Sequence, residues 1–116
     1  MPFLHVYTNA ELKDKNAAEF CERAAELLSD ALGKPISYIV VNLQQNSAMS
    51  FGGSAETKGA LAYLQSIGFG SRKSEVARLL TEFLSDRLAE VALPNINIVT
   101  ADLSAGDVAA GGRFFG

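Results

Sequence analysis

Two stretches with helical periodicity, each placed between two short β-prone runs, constrain the fold more than any other feature of this sequence. The first stretch ends near Leu32 and the second runs from Ser71 to about Val91, with an apolar stripe along one side of each. A glycine pair at Phe51–Ser54 separates the two halves. The β-prone runs are residues 3–7, 37–45, 60–67 and 96–101. The order of elements is therefore β-α-β, a glycine-rich joint, and β-α-β again.

This connectivity predicts the layers of the fold. A strand–helix–strand connection favours parallel pairing within each half, with a right-handed crossover. Four strands with both helices on one face form a two-layer α/β sandwich. The first strand places Leu4 and Val6 on one face but also Phe3 and Tyr7 on the other. The face without helices is then apolar and uncovered, and we interpret it as a surface buried against further copies of the chain.

Length, charge and cysteine usage exclude several classes of function. The chain has 116 residues, which predicts one domain over residues 1–116. Its net charge is −3 and it has no basic run, so nucleic acid is not an expected partner. The single cysteine, Cys21, and the single histidine, His5, provide neither an intrachain disulfide nor a zinc site of the usual spacing. Without a signal peptide or a bilayer-length apolar run, we expect cytoplasmic synthesis and no membrane insertion.

Pro2 is the first candidate for chemistry. If Met1 is removed, the nitrogen of Pro2 becomes a free secondary amine on a rigid ring, which can act as a base. While Met1 is attached, the same nitrogen is an amide and has no basicity. Taken alone, Pro2 is better interpreted as a start-site residue without a chemical role.

Four short motifs change that interpretation because they occur in order and at a recognisable spacing. They are Met1-Pro2-Phe3-Leu4, Gly33-Lys34-Pro35 followed by Tyr38-Ile39, Met49-Ser50-Phe51-Gly52-Gly53-Ser54, and Ser66-Ile67-Gly68. Over nearly the whole chain the sequence resembles the macrophage migration inhibitory factor (MIF) and D-dopachrome tautomerase family. The resemblance implies the β-α-β-β-α-β tautomerase sandwich, with a four-stranded mixed sheet and two helices on one face. It also implies a homotrimer whose sheets face inward around a central axis.

The resemblance further implies an isomerase that catalyses keto–enol tautomerisation of a small α-keto acid, phenylpyruvate-like or dopachrome-like, without a cofactor. Pro2 matches the family's catalytic base, and burial together with a neighbouring cation would lower the pKa of its amine. Lys34 matches the pocket lysine that binds the substrate carboxylate. Ile67 matches a residue of the pocket wall, and Tyr38 matches a tyrosine near its rim. The remaining wall comes from an adjacent subunit.

The sequence departs from the family pattern in the fourth strand and in the tail. Asn97 stands where the family has a tyrosine, and Val99 where it has an asparagine that points into the neighbour's pocket. The tail replaces Gly-Trp-Asn-Gly with residues 109–112, although Phe115 retains a terminal phenylalanine. Residues 58–61 replace the Cys-x-x-Cys pair of some members, so no thiol redox activity follows. We expect weak activity on the standard substrates, or a different substrate.

These departures leave a second class of function open. The chain could be a MIF-like cytokine or effector that binds a protein receptor and whose pocket is vestigial. Intact Pro2, Lys34 and Ile67 favour the enzyme, whereas the altered fourth strand favours the interaction protein. Family members also leave cells by unconventional secretion, which this chain could share.

Overall fold

A computed structural model describes residues 1–116 and contains two helices and a four-stranded sheet. The six main elements are β1 (Phe3–Thr8), α1 (Ala17–Leu32), β2 (Val40–Gln44), β3 (Ala60–Ser66), α2 (Lys73–Arg87) and β4 (Ile96–Asp102). A short C-terminal hairpin follows, formed by β5 (Ala109–Ala110) and β6 (Arg113–Phe114). Neither helix is long and apolar enough to cross a membrane.

The strands are arranged in the order β2-β1-β3-β4. β1 pairs with β2 in parallel and β3 pairs with β4 in parallel, as the strand–helix–strand connections predict. The two halves join through β1 and β3, which are antiparallel. The sheet is therefore mixed, and the predicted two-layer α/β fold is confirmed.

The hydrophobic core lies between the sheet and the two helices. Leu4 and Val6 of β1 are fully buried and face the helices, whereas Phe3, His5 and Tyr7 are only half-buried. Helix α1 contributes Phe20, Ala24, Leu28 and Leu32, and α2 contributes Val76, Leu80 and Leu84. The rings of Phe20 and Phe83 join the helices with centroids 5.1 Å apart.

The ends of α1 follow from local capping chemistry. Gly33 ends the helix in the left-handed conformation, with φ at 65°, as its sequence position predicts. The N-cap is Asn16, whose Oδ1 accepts from the backbone N–H of Glu19. The carboxylate of Asp14 accepts from the N–H of Asn16. Glu19 also pairs with Arg87 across the helix interface at 2.8 Å.

Two predicted boundaries are wrong, each because a turn or a tertiary contact replaces a regular element. Residues Ile36–Tyr38 form a 3₁₀ turn, so β2 begins at Val40 and not at residue 37. Helix α2 ends at Arg87 and not near Val91, because Leu88 leaves the helix in an extended conformation. There Leu88 forms an antiparallel bridge with Leu12.

The sheet face opposite the helices is called the open sheet face below. Its residues stand in three rows across the sheet: Val40, Phe3, Gln65 and Ala101; Asn42, His5, Tyr63 and Val99; and Gln44, Tyr7, Leu61 and Asn97. None of these residues is Asp, Glu, Lys or Arg, although 20% of the chain is charged. Val40, Tyr63 and Val99 are between 41% and 50% exposed. A low content of charged residues is typical of the centre of a protein interface.

Candidate functional site

The position of Pro2 is fixed by the central strand of the sheet. The Pro2 carbonyl accepts a hydrogen bond from the backbone N–H of Val40 at 3.1 Å. The next residue, Phe3, pairs with Val40 of β2 and with Gln65 near the end of β3. Pro2 is itself buried. The N-terminus therefore lies at the end of the sheet at which β1 begins and β3 ends.

Lys34 lies at the same end of the sheet, directly after the C-terminal end of α1. The left-handed Gly33 turns the chain out of the helix, and the N–H of Lys34 then donates to the carbonyl of Ser29 at 3.2 Å. The Ser29 hydroxyl donates in return to the carbonyl of Lys34 at 2.6 Å. This reciprocal pair of hydrogen bonds fixes the backbone of Lys34.

The ammonium group of Lys34 is held by the main chain of Ile67. Its Nζ donates to the Ile67 carbonyl oxygen at 2.9 Å, in a half-buried position. Ile67 directly follows buried Ser66, whose carbonyl accepts from the N–H of Leu103 at 2.8 Å. An ammonium has three N–H groups, so two remain for an anion. The structure therefore brings together Lys34 and Ile67, two of the six residues predicted for substrate binding.

The electrostatics of the N-terminus link it to this pair. Burial lowers the pKa of the Met1 amine below its ordinary value, because desolvation disfavours the charged form. The positive charge of Lys34 lowers that pKa further. An amine near this lysine is thus shifted toward its neutral, proton-accepting form.

Tyr38 and Phe115 form a second part of the same region. Their rings contact edge to face, with centroids 6.0 Å apart and planes at 87°. Tyr38 lies in the 3₁₀ turn that precedes β2, and Phe115 follows the C-terminal hairpin. The two side chains are 46% and 40% exposed. The tail thus folds back onto the predicted rim residue within one chain.

Asn97 and Val99 do not join this region in a single chain. Both lie on the open sheet face of β4, separated from β1 by β3. Asn97 shares a row of the open sheet face with Tyr7. Tyr7 is five residues after Pro2, which is about 17 Å along β1 at ordinary strand spacing. Any role of these residues in a site with Pro2 therefore requires a second copy of the chain.

The largest cavity of the protomer lies elsewhere. It has a volume of about 340 Å³ and is lined by Asn9, Ala10, Glu11, Asn46, Lys58, Ala89 and Glu90. Most of these residues follow the C-terminal ends of β1, β2 and α2, and Lys58 lies just before β3. Neither of the two cavities of the protomer is lined by Pro2 or Lys34. The end of the sheet that carries these two residues is nevertheless the candidate site, because it has the perturbed amine and the fixed cation. No group of three or more His, Cys, Asp or Glu is arranged to hold a metal ion.

Sequence analysis missed Ser29. Its hydroxyl makes the shortest of the side-chain hydrogen bonds around Lys34. A serine four residues before the glycine that ends a helix is the only signal the sequence offers, and it is weak. Cys21 is half-buried in α1. Burial raises the pKa of its thiol, which disfavours the reactive thiolate.

Comparison with known proteins gives a consistent result over the full length. The family model for macrophage migration inhibitory factor matches residues 1–116. A macrophage migration inhibitory factor homologue from Brugia malayi is 33% identical over 118 aligned positions and covers 100% of both chains. Among solved structures, the factor from Trichinella spiralis superimposes with a TM-score of 0.86 at 27% identity, covering 97% of this chain and 99% of that one. The homologue from Prochlorococcus marinus gives 0.88 at 26% identity, with 98% and 99% covered.

Proposed function

Because the chain belongs to the macrophage migration inhibitory factor family, we propose that it is a cofactor-independent keto–enol tautomerase whose base is the Pro2 nitrogen after removal of Met1. The observation that carries this proposal is the Lys34 ammonium, which is fixed on the Ile67 carbonyl and lowers the pKa of the terminal amine. A cation that binds a carboxylate and also favours a neutral base has the two properties that proton abstraction from a keto acid needs.

The proposed reaction moves one proton within the substrate. The carboxylate of a phenylpyruvate-like or dopachrome-like acid binds the free N–H groups of Lys34. The neutral Pro2 amine takes the proton from the carbon beside the ketone, which leaves an enolate and a protonated Pro2. The protonated Pro2 then gives this proton to the enolate oxygen, directly or through a water molecule, so that the enol forms and Pro2 is neutral again. Ile67, Tyr38 and Phe115 line the space around the substrate in this proposal.

We further propose that the chain acts as a homotrimer. The open sheet face has no charged residue, so it can face copies of itself without unpaired ions. Assembly would also bring Asn97 and Val99 of one subunit to the site of another, which a single chain cannot do. Sedimentation at micromolar concentration tests this, and a monomeric mass would contradict it.

The test of the reaction is enolisation of phenylpyruvate by protein whose mass shows that Met1 is absent. We expect weak but measurable turnover, since Asn97 and Val99 replace the family's aromatic and amide groups. Pro2→Gly should lower kcat/KM by about 100-fold or more, the usual effect of removing a positioned base. Pro94→Gly removes a proline ring from the exposed turn before β4 without changing the terminal amine, and it provides the control. Undiminished activity of Pro2→Gly would exclude Pro2 as the base.

The same residues on β4 favour a second candidate, a MIF-like cytokine or effector that binds a protein receptor. Neither Asn97 nor Val99 offers an aromatic ring to a neighbour's site, and Val99 lacks the side-chain amide of the asparagine that the family has at its position. Phe114 of the tail is 63% exposed. Such a protein would be made in the cytoplasm or leave the cell by an unconventional route. Absence of turnover on several keto acids, by protein shown to lack Met1, would favour this candidate.

A further inference from the structure

The loop between β3 and α2 begins with the residue whose carbonyl holds Lys34. It comprises residues 67–72 and is called the β3–α2 loop below. Gly68 and Gly70 adopt the left-handed conformation, with φ at 76° and 61°, and a Cβ at either position would meet nothing within 4 Å. Glycines in open space leave the backbone of a loop free to take other conformations. The position of the Ile67 carbonyl therefore depends on contacts that hold this loop from outside.

Two hydrogen bonds from cations to main-chain oxygens join the β3–α2 loop to the end of α1. At the first residue of the loop, Nζ of Lys34 donates to the carbonyl of Ile67 at 2.9 Å. At its last residue, Nη1 of Arg72 donates to the carbonyl of Ala31 at 2.9 Å. The helix supplies the donor of the first bond, and the loop supplies the donor of the second. The loop is thus held to the helix end at both of its ends.

The Ala31 carbonyl needs a partner from outside its own helix. In a regular α-helix it would accept from the N–H four residues later, but that residue is Pro35, which has no N–H. The last turn of α1 contains no basic residue, although the C-terminal end of a helix attracts positive charge. The Arg72 guanidinium supplies both the donor and the charge. No carboxylate of the chain forms an ion pair with Arg72 that would compete with this contact.

Phe69 gives the middle of the loop a separate anchor. Its ring is 4% exposed and packs in the core, and Nζ of Lys73 lies 5.2 Å from the ring centroid. Lys73 also pairs with Asp102 of β4 at 3.0 Å. These contacts fix the middle of the loop and the start of α2. Among the hydrogen bonds made by side chains of the loop, the one that reaches α1 is that of Arg72.

We propose that Arg72 is a positioning residue for Lys34, because it holds the β3–α2 loop where the Ile67 carbonyl can accept from the Lys34 ammonium. This inference rests on the tautomerase function proposed above. A lysine has a long, flexible stem and loses rotamer freedom when its ammonium is fixed. Without Arg72 the loop can move away from α1, and the ammonium then loses its acceptor. The substrate carboxylate would have to order the lysine itself, which raises KM more than it lowers kcat.

The first experiment is a double-mutant cycle on kcat/KM for phenylpyruvate, with protein whose mass shows that Met1 is absent. We expect Arg72→Ala to lower kcat/KM by about threefold to tenfold, mainly through KM. In a Lys34→Ala chain the same substitution should change kcat/KM by less than about twofold, since no ammonium remains to be positioned. Arg72→Lys keeps a cationic donor and should restore part of the loss. Arg78→Ala removes an exposed arginine of α2 and is the control, which should leave both constants unchanged.

The rate at which an acylating reagent modifies the terminal amine is a second readout, and it needs no turnover. Lys34 lowers the pKa of this amine, so a lysine that is no longer held should lower it less. The pH profile of acylation should therefore move to higher pH in Arg72→Ala. In a Lys34→Met chain the Arg72 substitution should leave the profile in place. A shift of the same size there would come directly from the arginine charge and would overturn the positioning role.

The outcomes distinguish this inference from the function on which it rests. Equal losses of kcat/KM with and without Lys34 overturn the positioning role and leave the tautomerase standing. A chain without turnover, whose acylation profile responds to Arg72→Ala only when Lys34 is present, overturns the reaction and leaves the positioning role standing. If Arg72→Ala lowers thermal stability but changes neither kcat/KM nor the acylation profile, its bond to Ala31 is purely structural and the inference is wrong.

Discussion

The Nζ of Lys34 lies 2.9 Å from the carbonyl oxygen of Ile67, which joins the C-terminal end of α1 to the end of β3. The two residues are 33 positions apart in the sequence. The contact positions a cation at the end of the sheet at which the chain begins. It leaves two N–H groups of that cation without a hydrogen bond to Ile67. The first three predictions concern this cation and the groups around it.

Replacing Lys34 by alanine should lower kcat/KM for a keto acid by about 10-fold to 150-fold, because a hydrogen bond to a charged group contributes roughly 1.5–3 kcal/mol. The loss should appear mainly in KM if the lysine binds the carboxylate equally in substrate and transition state. Lys58→Ala, in the cavity at the other end of the sheet, is the matched control and should leave both constants unchanged. A ketone substrate without a carboxylate should be far less affected. Equal losses on both substrates would contradict the carboxylate role.

The dependence of activity on pH should report the terminal amine. Burial and the Lys34 charge lower the pKa of the Met1 amine, and we expect the same two causes to act on the Pro2 amine after processing. A lowered pKa keeps the base neutral at lower pH, so kcat/KM should rise with pH through that value and then level off. Lys34→Met removes the charge, so the amine pKa should rise and the acidic limb of the profile should move to higher pH.

The rate at which an acylating reagent modifies the terminal amine measures the same shift without substrate turnover. Its pH dependence should move in the same direction in Lys34→Met. An unchanged profile in that variant would show that Lys34 does not act on the amine.

Ser29 should be a positioning residue for Lys34. Ser29→Ala removes the 2.6 Å hydrogen bond to the Lys34 carbonyl, which is worth about 0.5–1.5 kcal/mol. We expect kcat/KM to fall by about threefold to tenfold and the acidic limb of the pH profile to stay in place, since the charge of Lys34 remains. Ser29→Thr keeps the hydroxyl and should restore the activity. A loss of activity that follows thermal stability alone, with no rescue by threonine, would indicate a purely structural role.

Gly59 should be the glycine least tolerant of a side chain. A Cβ at this position would lie 2.6 Å from the carbonyl oxygen of Asn95 and 2.7 Å from the ring of Phe51. Gly59→Ala should therefore destabilise the fold by about 1–3 kcal/mol, the usual cost of overpacking. Gly106→Ala is the matched control, since its Cβ would meet nothing within 4 Å. Chemical denaturation measures both, and equal stabilities would contradict the close packing.

Much of the fold follows from local sequence signals. Where the observed boundaries differ from the predicted ones, the difference has an identifiable cause. The alternation of Leu4 and Val6 with Phe3 and Tyr7 predicts a strand with two apolar faces, and Gly33 predicts the end of α1. The end of α2 could not be predicted, because the bridge that stops it at Leu88 involves a residue from the loop after β1.

The candidate site is predictable only where the family motifs specify it. Those motifs indicate Lys34 and Ile67, and the structure places them in direct contact. They do not indicate Ser29, whose role depends on the geometry of the helix end. The separation of Asn97 from Pro2 follows from the strand order, which the sequence alone does not reveal.

The partner of Lys34 is a main-chain oxygen, and every amino acid has one. A substitution at Ile67 can change the shape of the proposed pocket wall, yet it cannot delete the acceptor that holds the lysine. The carbonyl that holds Lys34 and the side chain that forms the proposed pocket wall can therefore vary independently in evolution. Side-chain changes at position 67 could alter which substrate fits while the Lys34 ammonium stays in place. Screens for altered substrate preference should find tolerated replacements at Ile67 far more often than at Lys34.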